Sequence, residues 1–304
     1  MKYLYLGFFA ALFVLSGCGP DQGKNDGENG QNGDPNSGQD TNVIVMSDEI
    51  INDIIQSIPS PLEITTLIQE GGAIYNRDYL NDPDNASQYS TNFQKAINLG
   101  IYGTDLGFAN IYGMNQDALN YLKVVRSMAE GLSIGQFFDY STLKRLAESS
   151  DNLDSLILTT TQNFEKINFH LREQKRESLS ILLLTGGWIE ATLLTCTVYH
   201  KSKEQNNALR DKIGEQKIVL GQLLLVLDVY RNKPDFPELI DDLRELQKVY
   251  DDIEIETKFM EPEMVEKDGE LVFVDKSISE INIDDNHVNQ ITSLLQSIRE
   301  KLTK

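Results

Sequence analysis

Cysteine is nearly missing from this chain of 304 residues: Cys18 and Cys196 are the two that occur. Two cysteines so far apart cannot build the disulfide framework of a small secreted fold, nor the cysteine pairs of a zinc knuckle. Histidine is as scarce. His170, His200 and His287 stand alone, none with a second histidine three or four residues on, so the His-x-x-x-His spacing of a helical metal site is absent. His170 and His200 fall near helix ends beside Lys or Arg, where a solvated role or one at the helix dipole is ordinary. Basic residues are outnumbered, 27 against 47 acidic, for a net charge of −20 and a pI near 4.5. Such a surface repels nucleic acid and bare anionic lipid. No Gly-x-Ser-x-Gly elbow, phosphate-cradling glycine loop or dinucleotide fingerprint occurs. The paired carboxylates Asp241-Asp242, Asp251-Asp252 and Asp284-Asp285 read as solvated faces or caps in so acidic a chain. The chain therefore presents no recognisable catalytic set, and no cofactor or metal is expected.

What is present begins at the first residues. Lys2 supplies a positive charge and Tyr3 to Val14 an apolar run of about a dozen residues, right for a secretory signal and short of the roughly 20 needed to span a bilayer. The run ends in Leu15-Ser16-Gly17-Cys18, which resembles a bacterial lipobox: Leu, two small residues, and the cysteine that is lipidated and becomes the mature N-terminus. The resemblance implies a signal peptide over 1–17 and lipid attachment at Cys18, which leaves Cys196 without a disulfide partner. One acyl chain binds membranes only marginally, and lipoproteins of this class carry two or three. Position 19 is Gly and not the Asp associated with inner-membrane retention, so the resemblance points to the outer membrane. Its periplasmic and outer sides stay alternatives.

Residues 19–42 consist almost wholly of Gly, Asn, Asp, Gln, Ser and Pro and cannot bury enough apolar surface to order themselves. With Cys18 they form the expected tether, 18–42, which as a flexible coil averages roughly 25–30 Å end to end. Asp26-Gly27-Glu28-Asn29 lacks the ligand spacing of a calcium hand.

From 43 to 304 helix signals dominate. The expected fold is all-α, a multi-helix bundle forming a single domain with one small β-hairpin inserted near residues 263–274. Ser47 caps a helix over 48–58 that Pro59 stops. Ser60-Pro61-Leu62-Glu63 opens a second, running to Glu70 before Gly71-Gly72. After a polar loop over 81–85, residues 87–113 read as the central helix, apolar over most of its circumference. Ala96, Gly100, Gly103 and Gly107 make a stripe of small residues along it. Each glycine costs about 0.5–1 kcal/mol in a helix, so a close helix crossing is the favoured reason for them, against room for a ligand. Further helices are expected at 115–131 (closed by Gly131), 139–149, 151–176 (capped by Asp151), 203–231, 235–256 (capped by Asp235) and from Asp284/Asp285 to Ile298. Residues 179–199 are long and apolar enough to raise a membrane span, but Glu190 near the centre favours a buried core helix. Its own small-residue stripe, Gly187, Ala191 and Thr195, is expected to meet the stripe on 96–107. The alternation around Asp268-Gly269 gives the hairpin.

Polar residues within these apolar helices are the candidate site. Tyr102, Asp105 and Tyr112 line one side of the central helix, with Asn98 nearby, and Trp188 and Glu190 stand in the most apolar helix. A buried carboxylate must find a partner, shift its pKa or reach water. If these five converge, they form a polar pocket for a small molecule or glycan. The competing reading is a basic partner from elsewhere in the chain, such as Arg77, Arg126 or Arg145.

Residues 55–200, from Ile58-Pro59-Ser60-Pro61-Leu62-Glu63 through Leu106-Gly107 to Leu184-Thr185-Gly186-Gly187-Trp188, resemble a group of Bacteroidota cell-envelope lipoproteins with no established activity. The resemblance implies a helical envelope protein attached to membrane through its lipid alone, with an envelope protein as partner. A binding or scaffolding module is the expectation, a helical binder or enzyme for a polar small molecule or glycan the alternative.

Overall fold

A helix with no polar face has to be enclosed, and residues 178–201 are such a helix. The computed structural model describes residues 46–58, 68, 74–141, 144, 153–202, 206–258, 260, 263–267, 270–274 and 278–304. These fall into two compact units, a helical body within 44–256 and 280–304, and a strand unit within 257–279. The signal segment, Cys18, the tether, the helix from Ser60 to Glu70, Asp151, most of the helix expected over 139–149 and the Asp268-Gly269 turn lie outside the described residues.

The body is all-α. In chain order its helices are α1 (Asp48–Ser57), α2 (Asn92–Ile111), α3 (Asn115–Gly131), α4 (Leu153–Glu173), α5 (Ser178–Lys201), α6 (Asn207–Val229), α7 (Phe236–Asp251) and α8 (Asp285–Leu302). α5 lies at the centre, packed against α2, α6 and α8, and α7 lies against α6 and α8. Among the described residues it is the helix whose length and mean hydropathy, 1.6, would let it cross a membrane. Here it is enclosed by protein from Ser178 to Cys196, apart from the half-buried Leu183.

The expected meeting of the two small-residue stripes occurs in part: Gly100 of α2 meets Gly187 of α5, and Gly186 joins them. A Cβ on Gly100 would fall onto the Leu183 carbonyl oxygen and 2.6 Å from the Gly187 nitrogen. One on Gly186 would fall onto the Ile97 carbonyl. The helices thus meet backbone to backbone, and Thr104 seals the seam by donating from Oγ1 to the carbonyls of Gly100 (3.1 Å) and Gly187 (3.2 Å). Gly103 is different: a Cβ there would meet nothing within 4 Å. Gly113 lies past the helix end, at φ 67°, where it turns the chain toward α3.

Helix ends depart from expectation where a stronger local signal competes. α2 begins at Asn92 and not near 87, because Thr91 and Gln94 form a reciprocal capping box and Asp82 caps a separate 3-10 turn, Pro83–Gln88. Gly131 is the last residue of α3, and the left-handed turn beyond it is taken by Ser133 at φ 61°. Asp235 sits at the start of α7 but at φ 70°, and its side chain caps nothing. α7 stops at Asp251 and not at 256. Lys217 of α6 donates to the carbonyls of Asp251 (3.2 Å) and Ile253 (2.7 Å), and the period-two run Ile253, Ile255, Thr257 leads into a strand.

That strand is β1 (Glu254–Lys258), followed by β2 (Glu263–Lys267), β3 (Glu270–Val274) and β4 (Ile278–Asn282). β2 and β3 form the expected antiparallel hairpin, from Glu263 opposite Val274 to Lys267 opposite Glu270. β1 pairs with β4, an addition the sequence reading missed. In the body, Ile281 and Ile283 at the far end of β4 cover Gly214 of α6. Asp284 then opens α8 in a capping box with His287.

Candidate functional site

Because α2 and α5 touch at their glycines, side chains a turn further along face each other across a narrow seam. Asp105 of α2 and Glu190 of α5 meet there, both fully buried and within hydrogen-bonding reach of one another. The expected basic partner is supplied by α8. Arg299 Nη1 donates to Glu190 Oε1 at 2.9 Å and to the Tyr79 carbonyl at 2.8 Å. Of the arginines first considered, Arg77 lies 3.7 Å from Asp117 and Arg126 lies 2.8 Å from Glu130, both at the surface. Arg145 is outside the described residues.

The second partner is Asn81, whose main-chain N–H and side-chain amide both donate to Asp105 Oδ2, at 3.2 and 3.0 Å. Asn81 is placed there by a run of carbonyls, each held from a different element. Arg299 of α8 takes Tyr79, the Tyr121 hydroxyl of α3 takes Asn81 at 2.8 Å, and the Tyr102 hydroxyl of α2 takes Asp82 at 2.6 Å. The end of α8 is tied to the same region. Asn98 donates to the Leu302 carbonyl (2.9 Å) and Tyr89 to that of Thr303 (3.2 Å). The cluster is a buried hub joining α2, α3, α5, α8 and the 79–82 segment.

Burial dominates its electrostatics. It pushes the Asp105 carboxyl well above the usual carboxylate range, and the charge of Glu190 pushes the same way. Burial raises Glu190 too, against the opposing pull of Arg299. Burial also pushes the hydroxyls of Tyr102 and Tyr121 further above the ordinary phenol range.

Of the five sequence candidates, Tyr102, Asp105 and Glu190 come together in this hub. Trp188 does not: its indole N–H donates to Gln216 Oε1 of α6 at 2.9 Å. Tyr112 belongs to an aromatic group with Phe108 (centroids 4.9 Å apart) and Tyr75 (5.9 Å). The sequence reading missed Arg299 and Asn81. Arg299 had a signal, since it follows Leu295 by one turn on the apolar stripe Val288, Ile291, Leu295. Asn81 had none, because only the fold brings a loop residue to Asp105.

A different region is open to solvent. A cleft of about 230 Å³ lies between the start of α2, the start of α7 and the end of α8, with Phe93, Asp235, Glu238, Asp242 and Lys301 in its wall. Lys301 Nζ bridges both oxygens of Asp242, at 2.7 and 2.9 Å. Neither Asp105 nor Glu190 borders it. Among the described residues, no three His, Cys, Asp or Glu side chains are grouped to hold a metal ion. Cys196 is fully buried, and burial pushes its thiol up to about 12, so it is no nucleophile at neutral pH.

Compared with protein-family models, with curated proteins and with solved structures, the chain matches none. Its function has to be argued from its own residues.

Proposed function

We propose that this chain is a lipoprotein of the cell envelope, anchored to the outer membrane through lipid on Cys18, with a helical body that serves as a non-catalytic binding or scaffolding module for an envelope protein partner. The observation that carries the anchor is Leu15-Ser16-Gly17-Cys18 directly after an apolar run too short to span a bilayer. The likeness of residues 55–200 to Bacteroidota envelope lipoproteins points the same way. The non-catalytic reading is supported by the hub: its two carboxyl groups are buried, bonded to Asn81 and Arg299, and stand apart from the cleft between α2, α7 and α8. Net charge of −20 disfavours direct adsorption of the body to anionic lipid, in keeping with attachment by lipid alone.

The test is metabolic labelling with a radioactive fatty acid, comparing the wild type with Cys18→Ala. Label on the wild type alone is expected; equal label on the mutant overturns the anchor. Cross-linking in intact cells followed by envelope fractionation tests for the partner.

A second reading, a binder of a polar small molecule or glycan, is favoured by the cleft between α2, α7 and α8. Its mix of an aromatic edge with carboxylates and an ammonium group suits a hydroxylated ligand. A thermal-shift screen against saccharides, repeated with Asp242→Asn, separates the two readings.

A further inference from the structure

Among the described residues, the hub holds two buried carboxyl groups and, facing both, one cation, Arg299. Asn81 gives its main-chain N–H and a side-chain N–H to Asp105 Oδ2, and its amide also faces Glu190. Arg299 serves Glu190 Oε1. Asp105 Oδ1 and Glu190 Oε2 are buried and meet no N–H or O–H donor, although the two groups lie within hydrogen-bonding reach of each other. Two ionised carboxylates so placed would repel across a medium of low dielectric, and each would leave an oxygen unsatisfied. A hydrogen between them removes both faults. We infer that Asp105 and Glu190 form a proton-binding site, in which Asp105 is the acid and donates to an ionised Glu190, so that the hub is neutral as a carboxylic acid, a carboxylate and a guanidinium.

Among the described residues, the surroundings supply no other charge to do this. On α2 Tyr102 faces the pair, on α3 Tyr121, and Tyr89 and Tyr75 stand behind them; phenols are neutral at neutral pH, and burial raises all four further. Arg77 and Asp117 interact with Tyr75 and lie toward solvent, and Glu300 neighbours Arg299 from the outer side of α8. The proton belongs to Asp105 because Arg299 stabilises charge on Glu190 first.

The consequence is a sign for the pH dependence of stability. The native state keeps a proton that an unfolded Asp releases above about pH 4. Folding therefore binds one extra proton from there up to the native titration of the pair, and stability falls as pH rises through that window. The unfolding constant rises by about tenfold per pH unit from this source.

Infrared difference spectra of the full-length protein in detergent at neutral pH test the site directly. The wild type is expected to show the carbonyl band of a buried carboxylic acid, and Asp105→Asn to lack it. Glu190→Gln is a second variant: one carboxyl facing one arginine needs no proton, so the band is lost there as well. Urea unfolding across pH provides the other reading, with Asp105→Asn losing about tenfold per unit less than the wild type. A wild type without the band, or an Asp105→Asn pH profile that parallels the wild type, overturns the assignment.

Discussion

Gly100 of α2 and Gly186 of α5 place two helix backbones in direct contact: the space a Cβ would need on Gly100 is filled by the Leu183 carbonyl, and that on Gly186 by the Ile97 carbonyl. No side chain can be added at either position without moving backbone. Gly100→Ala and Gly186→Ala are expected to destabilise the protein by more than about 4 kcal/mol, the range reserved for broken cores. Gly103→Ala is the control. Its Cβ meets open space, so the variant is expected to gain about 0.5–1 kcal/mol from helix propensity. Urea midpoints of the three variants check this.

Removing one partner of a buried ion pair costs more than the pair itself contributes. Arg299→Met leaves Glu190 charged in the core and the Tyr79 carbonyl without its donor. A loss of about 3–5 kcal/mol is expected. Adding Glu190→Gln should restore part of it, a coupling readable in a double-mutant cycle.

The chain's single tryptophan, Trp188, is 1 % exposed and bonded to Gln216. Its fluorescence is expected to be blue-shifted and resistant to iodide in the native protein, and to shift red only with global unfolding. Trp188→Phe strands the buried Gln216 carbonyl oxygen and is expected to cost about 1–3 kcal/mol, measured by circular dichroism during urea unfolding.

Cys196 should be silent to thiol reagents. With Cys18 replaced by alanine, the native protein is expected to leave a disulfide reagent uncleaved at neutral pH, and to react with one equivalent in urea. Burial raises the thiol to about 12, so the thiolate is scarce in the native state below that pH.

The elements legible from sequence were those whose signal is local. Ser47 and Asp284 are caps that bond the N–H three residues on, as the residue types imply. The glycine stripe of α2 announced a close helix crossing because three glycines in one apolar helix need a compensating contact. Errors arose where two local signals competed. The box Thr91 to Gln94 outweighed continuous helical periodicity before it, and the β-branched alternation from Ile253 ended α7 early.

The hub divides along the same line. Sequence alone determined that Asp105 and Glu190 would be buried and would need partners, since each interrupts an apolar helix. Which partners they found was decided only by the tertiary structure. Arg299 lies 109 residues from Glu190 along the chain, and Asn81 lies 24 from Asp105. The candidate pocket of five residues was separated for the same reason. Trp188 and Glu190 stand two positions apart on α5, and a helix turns about 100° per residue, so they face opposite ways. Trp188 meets α6 and Glu190 meets α2 and α8. Composition says that a polar group is costly inside a core; only the arrangement of helices says which atom relieves it.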